Sequence, residues 1–340
     1  MIVPKEKFEL LLNSSVELVE IMTREELKNL LDIKKHPVSY WGIATSGPIH
    51  IGYLKPINKQ LDLVKVGFKH KVLVANIHAY LDDMKCPWEL LDARTRYYVK
   101  TLKLTGLDPN KIEFIISSDF QISKEYFTDV LRAIALVTTK RALRAASEVC
   151  RIKTPHVSEL TYPIMQILDQ KYLDVDLSYG GLDQRHVYAL GRELLPKLGY
   201  KVPVAIFTAR SPGLQKGKNM SASEPETTIQ LHDSEELIKE KITKAYCPPK
   251  IIEENPIIEI LRYFIMPRYK EIIIERPAKF GGDISFRSYL DLEKEYTSGN
   301  LHPQDLKNAA IRYLIEVLKP VRKYVENRPE LLKEAFPKGY

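Results

Sequence analysis

A chain of 340 residues, 44% hydrophobic and 28% charged, is long enough for two domains and has the composition of a soluble globular protein. No apolar run approaches the roughly 20 residues of a membrane span, and the N-terminus MIVPKEKFELLL lacks the apolar core of a secretory signal; a cytoplasmic chain with no membrane partner is expected. The net charge of +7 admits nucleic-acid binding as readily as a solvated Lys-rich surface, and Cys86, Cys150 and Cys247, without a CxxC pair, offer neither a zinc site nor a disulfide framework.

Residues 5–35 read as two helices, over SSVELVEIM and TREELKNLLDI, with Thr23 and Glu26 forming a capping box. A short strand at 38–43 runs into a glycine-rich turn, and 54–66 reads as a helix. KVLVANI (71–77) is a continuous apolar run of the kind a buried parallel strand shows. DARTRYYVKTLKLTGL is helical and KIEFIISS (111–118) is the next strand. This alternation of strand and helix predicts a doubly wound, parallel α/β sheet with crossover helices. A basic helical region at 124–153 reads as an insertion, about 120–160 in all. TYPIMQILDQKYL is expected to start a helix, with Pro163 in its first turn. VPVAIFT is the last strand, followed by a loop at 211–226, after which the pattern is mostly helical. The expected division is an α/β domain over 1–230 and a mostly α-helical domain over 231–340.

The stretch SYWGIATSGPIHIGYLKP (39–56) carries a strand into a turn with Gly42 and Gly47, then places His50, Gly52 and Tyr53 at a helix start. Glycine lets a ligand approach the backbone, and a helix N-terminus favours anions. A His there can donate to a phosphate oxygen. A helix-capping turn with an incidental His fits the same residues. In the loop GLQKGKNMSASEP, Lys216 and Lys218 stand on a glycine-flanked segment beside Met220, Ser221 and Ser223. They can neutralise a triphosphate, or simply face solvent. Tyr162, Gln166 and Asp169 fall at i, i+4 and i+7 of one helix and so share a face. Polar groups on an apolar buried helix need partners, supplied by an internal network or by a ligand.

In this order the turn and the loop resemble the HIGH and KMSKS motifs of class I aminoacyl-tRNA synthetases. With ANIHAYLDDMKCPWELL, ISKEYFTDVLR, TYPIMQILDQKYLDVDLSYGGLDQRH and LHPQDLKN, the resemblance covers nearly the whole chain. The sequence is identified as a member of the tyrosyl-tRNA synthetases of archaeal and eukaryotic type. The resemblance implies a Rossmann-like catalytic domain with a helical insertion, and an anticodon-binding C-terminal domain. It implies that Asp169 accepts the phenolic proton of tyrosine and Tyr40 donates to its oxygen. Tyr162, Gln166 and Gln184 would hold the ammonium group, with Gly42 and Leu73 lining the ring slot and His78 nearby. ATP, accompanied by Mg²⁺ and without a tightly held protein-coordinated metal, would meet Gly47, His50, Gly52, Tyr53 and Met220. His50, Lys216 and Lys218, with Ser221 and Ser223, would carry the chemistry.

Departures from the family pattern bear on these roles. Tyr53 occupies the last place of His-x-Gly-His, and Asn219 stands where a lysine is common, which leaves open which lysine acts. Asn76 replaces a frequent Asp. For tRNA(Tyr), the segment TTKRALRAASEVCRIK offers Lys140, Arg141, Arg144, Arg151 and Lys153 to a phosphate backbone or to solvent, and in the family this insertion builds the homodimer. Arg185 would read the first acceptor base pair, next to His186 in place of a common Lys. Phe280, His302 and Asp305 would serve the anticodon, Asp305 fitting a helix first turn equally well. Three rivals remain from sequence: a tryptophanyl-tRNA synthetase, another nucleotidyltransferase of the same superfamily, and an RNA-binding relative without catalysis.

Overall fold

The structure, a computed structural model, describes residues 3–150, 154–222 and 224–339. It divides into two compact units. The first comprises Met1–Gly47, Gln60–Ala209 and Lys333–Pro337, the second Pro48–Lys59, Arg210–Leu332 and Lys338–Tyr340.

The first unit is built on a six-stranded sheet: β1 (Glu20–Met22), β2 (Val38–Ala44), β3 (Lys69–Ala75), β4 (Ile112–Ile116), β5 (Leu177–Gly181) and β6 (Val204–Thr208). The spatial order is β1-β6-β5-β2-β3-β4, and every pairing is parallel except β1 with β6. The order reverses direction between β2 and β5, the place where doubly wound sheets bind ligands beyond their strand ends. β6 is buried along its whole length and β3 along most of it, which is why these strands read as apolar runs and not as alternations.

Several expected elements differ. SSVELVEIM is not a helix: Glu20–Met22 pairs antiparallel with β6, in the register Glu20↔Phe207. A short apolar run suits either period, and the open sheet edge decides it. The first helix lies upstream, at Pro4–Leu12. The strand ends at Ala75, before the 77 expected, because Asn76 opens a helix, Asn76–Leu81. Its Oδ1 accepts from Ile77 N, Ser117 Oγ and Ser118 N, tying the ends of β3 and β4 together. The described part of that region, 124–150, holds two helices, Lys124–Ile134 and Thr139–Ala146, each started by a hydroxyl cap from Ser123 or Thr138. Pro163 lies inside its helix, Val157–Tyr172, because the Glu159 carboxylate accepts from His156 N at 2.8 Å and starts the helix earlier. The Thr23–Glu26 capping box forms as expected. β5, short and ending in two glycines, has too little pattern to be read from sequence.

The second unit is mostly helical, with Glu235–Lys244, Tyr289–Ser298 and the long Pro303–Asn327. A hairpin of β7 (Ile272–Ile274) and β8 (Ile284–Phe286) was not apparent in the sequence pattern. The NPIIEILRYFIM segment begins as an α-helix at Pro256–Glu259 and continues as a π-helix over Ile260–Ile265. Cys86, Cys150 and Cys247 are free thiols. No helix is long and apolar enough to cross a membrane among the described residues.

Candidate active site

In the first unit, polar side chains converge on an otherwise apolar interior. Tyr40, in the middle of β2, is buried, with its Oη 3.3 Å from that of Tyr188. It packs in one apolar cluster with Leu73, Leu173 and Phe207. Asp169 projects from the Val157–Tyr172 helix and is only 1% exposed. Its Oδ1 accepts from Gln121 Nε2 at 2.8 Å and from Tyr126 Oη at 2.7 Å. Its Oδ2 has no hydrogen-bond partner. His78 Nε2 stands 3.8 Å from that oxygen, also without one.

Burial pushes the Asp169 carboxyl up to about 7, against the hydrogen bonds from Gln121 and Tyr126, which pull it down. Burial pushes His78 down to about 4, so at neutral pH the His78–Asp169 contact is not an ion pair. Tyr162 meets the His78 ring edge-on, with centroids 4.6 Å apart. Gln166 Nε2 donates to Gln184 Oε1 at 2.8 Å, and Gln184 Nε2 to Asp183 Oδ2 at 2.9 Å. Gln166 Oε1 and Gln121 Oε1 are buried without partners as well.

Four unsatisfied polar atoms therefore gather around one helix face, where a buried group without a partner costs about 1–3 kcal/mol. Gly42 is the one exposed residue of β2. A Cβ added there would meet nothing nearer than Tyr40 Cε2, at 3.7 Å, so protein does not fill the space beside it. Burial, first of all, raises the Tyr40, Tyr126 and Tyr162 hydroxyls well above the usual phenol range and keeps them neutral.

Sequence reasoning assembled Tyr40, Gly42, Leu73, His78, Tyr162, Gln166, Asp169 and Gln184, and all of them lie in this unit. It missed Gln121, Tyr126 and Tyr188. Tyr188 stands one helical turn after Gln184, a spacing that was available to find it. Gln121 and Tyr126 come from a separate helix pair and carried no such signal.

In the second unit, His50 caps a short 3₁₀ turn, Ile51–Tyr53. Its Nδ1 accepts from Gly52 N at 3.2 Å, so the ring proton resides on Nε2, which is left as the donor. Burial lowers His50 to about 4. His50 pairs with Gln230 in an antiparallel bridge, through Ile51 N to Ile229 O at 2.8 Å and Leu231 N to Ile49 O at 2.9 Å. A Cβ at Gly52 would stand 2.9 Å from His50 Cε1 and 3.1 Å from Met220 Sδ, so any larger residue would have to displace the His50 ring where the turn meets the loop. The Tyr53 and His50 rings are 4.8 Å apart.

The loop itself is a hairpin: Pro212 bridges Asn219, Gly213 N donates to Lys218 O at 2.6 Å, and Gly217 takes φ +71°. Lys218 Nζ is held by Glu224 Oε2 at 3.1 Å, and Lys216 Nζ lies 5.6 Å from the Tyr246 ring centre. Ser221 is buried, its N–H donating to Thr227 Oγ1 at 3.3 Å. Ser223, Arg151 and Lys153 lie outside the described residues.

Other expected site residues are placed as follows. Gly47, in the first unit, has both peptide groups engaged by the Tyr98 hydroxyl, so its N–H is not free for a phosphate. Arg141 is gripped by both oxygens of Glu193, at 3.0 and 2.7 Å, while Arg144 is exposed. Arg185 pairs with Glu20 through Nε, at 2.8 Å to Oε2. His186 is half-buried. Phe280 is 62% exposed, next to Gly281 and Gly282 in left-handed conformations. His302 is the cap of the Pro303–Asn327 helix, its Nδ1 accepting from Gln304 N at 3.1 Å, and Asp305 lies in the first turn. The C-terminal tail, unassigned from sequence, stacks Phe336 on Tyr97 and on Arg94. Arg94 in turn donates to the carbonyls of Thr45, Ser46 and Ala335. No group of three or more His, Cys, Asp or Glu able to hold a metal ion occurs among the described residues.

A family model described as tRNA synthetases class I (W and Y) matches residues 32–319. The chain is 46% identical to the tyrosine–tRNA ligase of Methanococcoides burtonii, over 90% of its own length and 96% of that protein. It is 38% identical to the cytoplasmic tyrosine–tRNA ligase of Danio rerio, over 98% of its length and 64% of the relative's. The solved tyrosyl-tRNA synthetase of Archaeoglobus fulgidus, complexed with L-tyrosine, superposes with a TM-score of 0.89 at 41% identity, covering 94% of this chain and 99% of that one.

Proposed function

The chain belongs to the tyrosyl-tRNA synthetases of archaeal and eukaryotic type, a class I family, and we propose that it joins tyrosine to tRNA(Tyr) in two steps with Asp169 and Tyr40 selecting the amino acid. The observation that carries the selection is the unspent oxygen of Asp169. A buried carboxylate with one oxygen satisfied and the other without a partner suits a ligand hydroxyl. Phenylalanine would leave Asp169 Oδ2 unpaired, at a cost of about 3 kcal/mol or more. An indole lacks the phenolic oxygen to which Tyr40 would donate. Tyr162, Gln166 and Gln184 take the ammonium group, and the space at Gly42 beside Leu73 takes the ring.

In the first step the tyrosine carboxylate attacks the α-phosphate of ATP and pyrophosphate leaves. No protein nucleophile takes part, so catalysis is positioning and charge stabilisation. His50 Nε2–H donates to a phosphate oxygen as charge builds on it. Lys218 and Lys216 neutralise the departing pyrophosphate once they release Glu224 and Tyr246. Mg²⁺ enters with the ATP phosphates as part of the substrate. In the second step a hydroxyl of the terminal adenosine of tRNA attacks the activated carbonyl and AMP leaves.

The region 231–340 serves the anticodon, with exposed Phe280 as a base-stacking platform and Asp305 as an acceptor. The protein works in the cytoplasm as a homodimer. Support for the dimer is the exposed apolar stripe Phe127, Leu131 and Ile134, at i, i+4 and i+7 of one helix in the insertion. Tyrosine-dependent pyrophosphate exchange, followed by charging of total tRNA, tests the reading. Exchange with tyrosine and not with tryptophan or phenylalanine is expected, and preference for tryptophan would overturn it.

A further inference from the structure

Glu259 has no part in the chemistry above, yet it joins two segments that do. Lys55 is the second residue of the Leu54–Val66 helix that follows His50, and its side chain is 5% exposed. Lys55 Nζ lies 2.8 Å from Glu259 Oε1. The same oxygen accepts from Ser211 Oγ at 2.6 Å, and Ser211 opens the 211–226 loop. The element behind Glu259 is clamped as well. Tyr263, in the π-helix Ile260–Ile265, has its ring centre 4.1 Å from Lys55 Nζ, and its carbonyl accepts from Asn58 Nδ2 at 2.7 Å. All these residues belong to the second unit.

A buried ion pair adds little net stability over a well-packed apolar pair, and its best-attested use is to set register. Here the register is that of the loop base against the His50 helix. The far end of the loop is fixed by the Gln230–His50 bridge. Both ends of the lysine-bearing hairpin are thus anchored on the segment 48–59. We propose that Glu259 is a positioning residue for tyrosine activation: it shares one oxygen between Ser211 and Lys55, and so holds the loop base in register with the helix that His50 starts. This rests on the synthetase reading of the loop.

The test compares Ser211→Ala, Glu259→Gln and the double variant Lys55→Met/Glu259→Met. The double variant replaces the ion pair by apolar groups and separates lost register from lost stability. Expected for Ser211→Ala is a loss of about fivefold to tenfold in kcat/KM for ATP in pyrophosphate exchange, the span of one ordinary net hydrogen bond. Tyrosine affinity, measured by titration without ATP, stays within about twofold in all three variants, because none of the substituted residues is among those proposed to bind tyrosine. The double variant shows the same defect with a melting temperature near wild type, and adding Ser211→Ala to it changes nothing further. Amide exchange of the 211–224 backbone speeds up in Ser211→Ala, a readout that needs no activity. Wild-type ATP kinetics in both Ser211→Ala and the double variant, or unchanged loop exchange, would overturn the proposal. So would tyrosine affinity falling in step with melting temperature. A wild-type protein without tyrosine-dependent exchange would instead refute the synthetase reading, and loop exchange would still report on the tie.

Discussion

Around Asp169, Gln121 and Tyr126 already bond one carboxylate oxygen and His78 stands against the other, and the atoms left over have nothing to bond. Around Lys218 the reverse holds: each lysine of the loop already has a protein partner, which the proposed phosphate role would require it to release. Selection demands a rigid, dry cavity, since an unpaired polar group is costly only where water cannot reach it. Charge stabilisation at a leaving group demands cations that arrive with the substrate and release the product, so they sit on an exposed hairpin. On the proposed reading, the two regions divide discrimination from chemistry along these physical lines.

The comparison can be broken most strongly at Asp169. Asp169→Ala should lower kcat/KM for tyrosine in pyrophosphate exchange by about 10³-fold or more, with fold retention checked by circular dichroism. A wild-type rate would end the pocket assignment. His50→Ala should reduce the exchange rate by about 10²-fold, the worth of one donor to a developing charge, while tyrosine affinity by titration stays unchanged. Lys218→Ala should cost about tenfold in the same assay, and a larger loss in Lys216→Ala would reassign the acting lysine.

The pH dependence sharpens the contrast. The Asp169 carboxyl is raised to about 7, so stability from its protonated buried form is fully present below the ordinary carboxylate range and lost as pH rises through about 7. Tyrosine binding to the carboxylate runs the other way and weakens as pH falls below about 7. Isothermal titration over about 1.5 pH units either side of that value should show this slope in the wild type and none in Asp169→Asn. The smallest effect is expected at the Lys218–Glu224 pair. Glu224→Gln frees Lys218 from a half-exposed ion pair and should change KM for ATP by only about twofold to threefold.

Much of this was legible in the chain. The strand–helix rhythm announced the sheet because parallel strands buried on both faces read as unbroken apolar runs, as in KVLVANI. The i, i+4, i+7 spacing of Tyr162, Gln166 and Asp169 announced one polar helix face. What stayed hidden depends on contacts distant in sequence. Glu20–Met22 became a strand only because β6 offered an edge. Gln121 and Tyr126 bond Asp169 from 48 and 43 residues away, and Glu259 reaches Ser211 across 48. Pro163 misled because a capping interaction upstream, and not the proline, set where its helix begins.

The most direct test is a crystal structure with L-tyrosine bound. The account predicts the phenolic oxygen within about 3 Å of both Asp169 Oδ2 and Tyr40 Oη, with the ring beside Gly42. A tyrosine whose hydroxyl contacts neither group would contradict it.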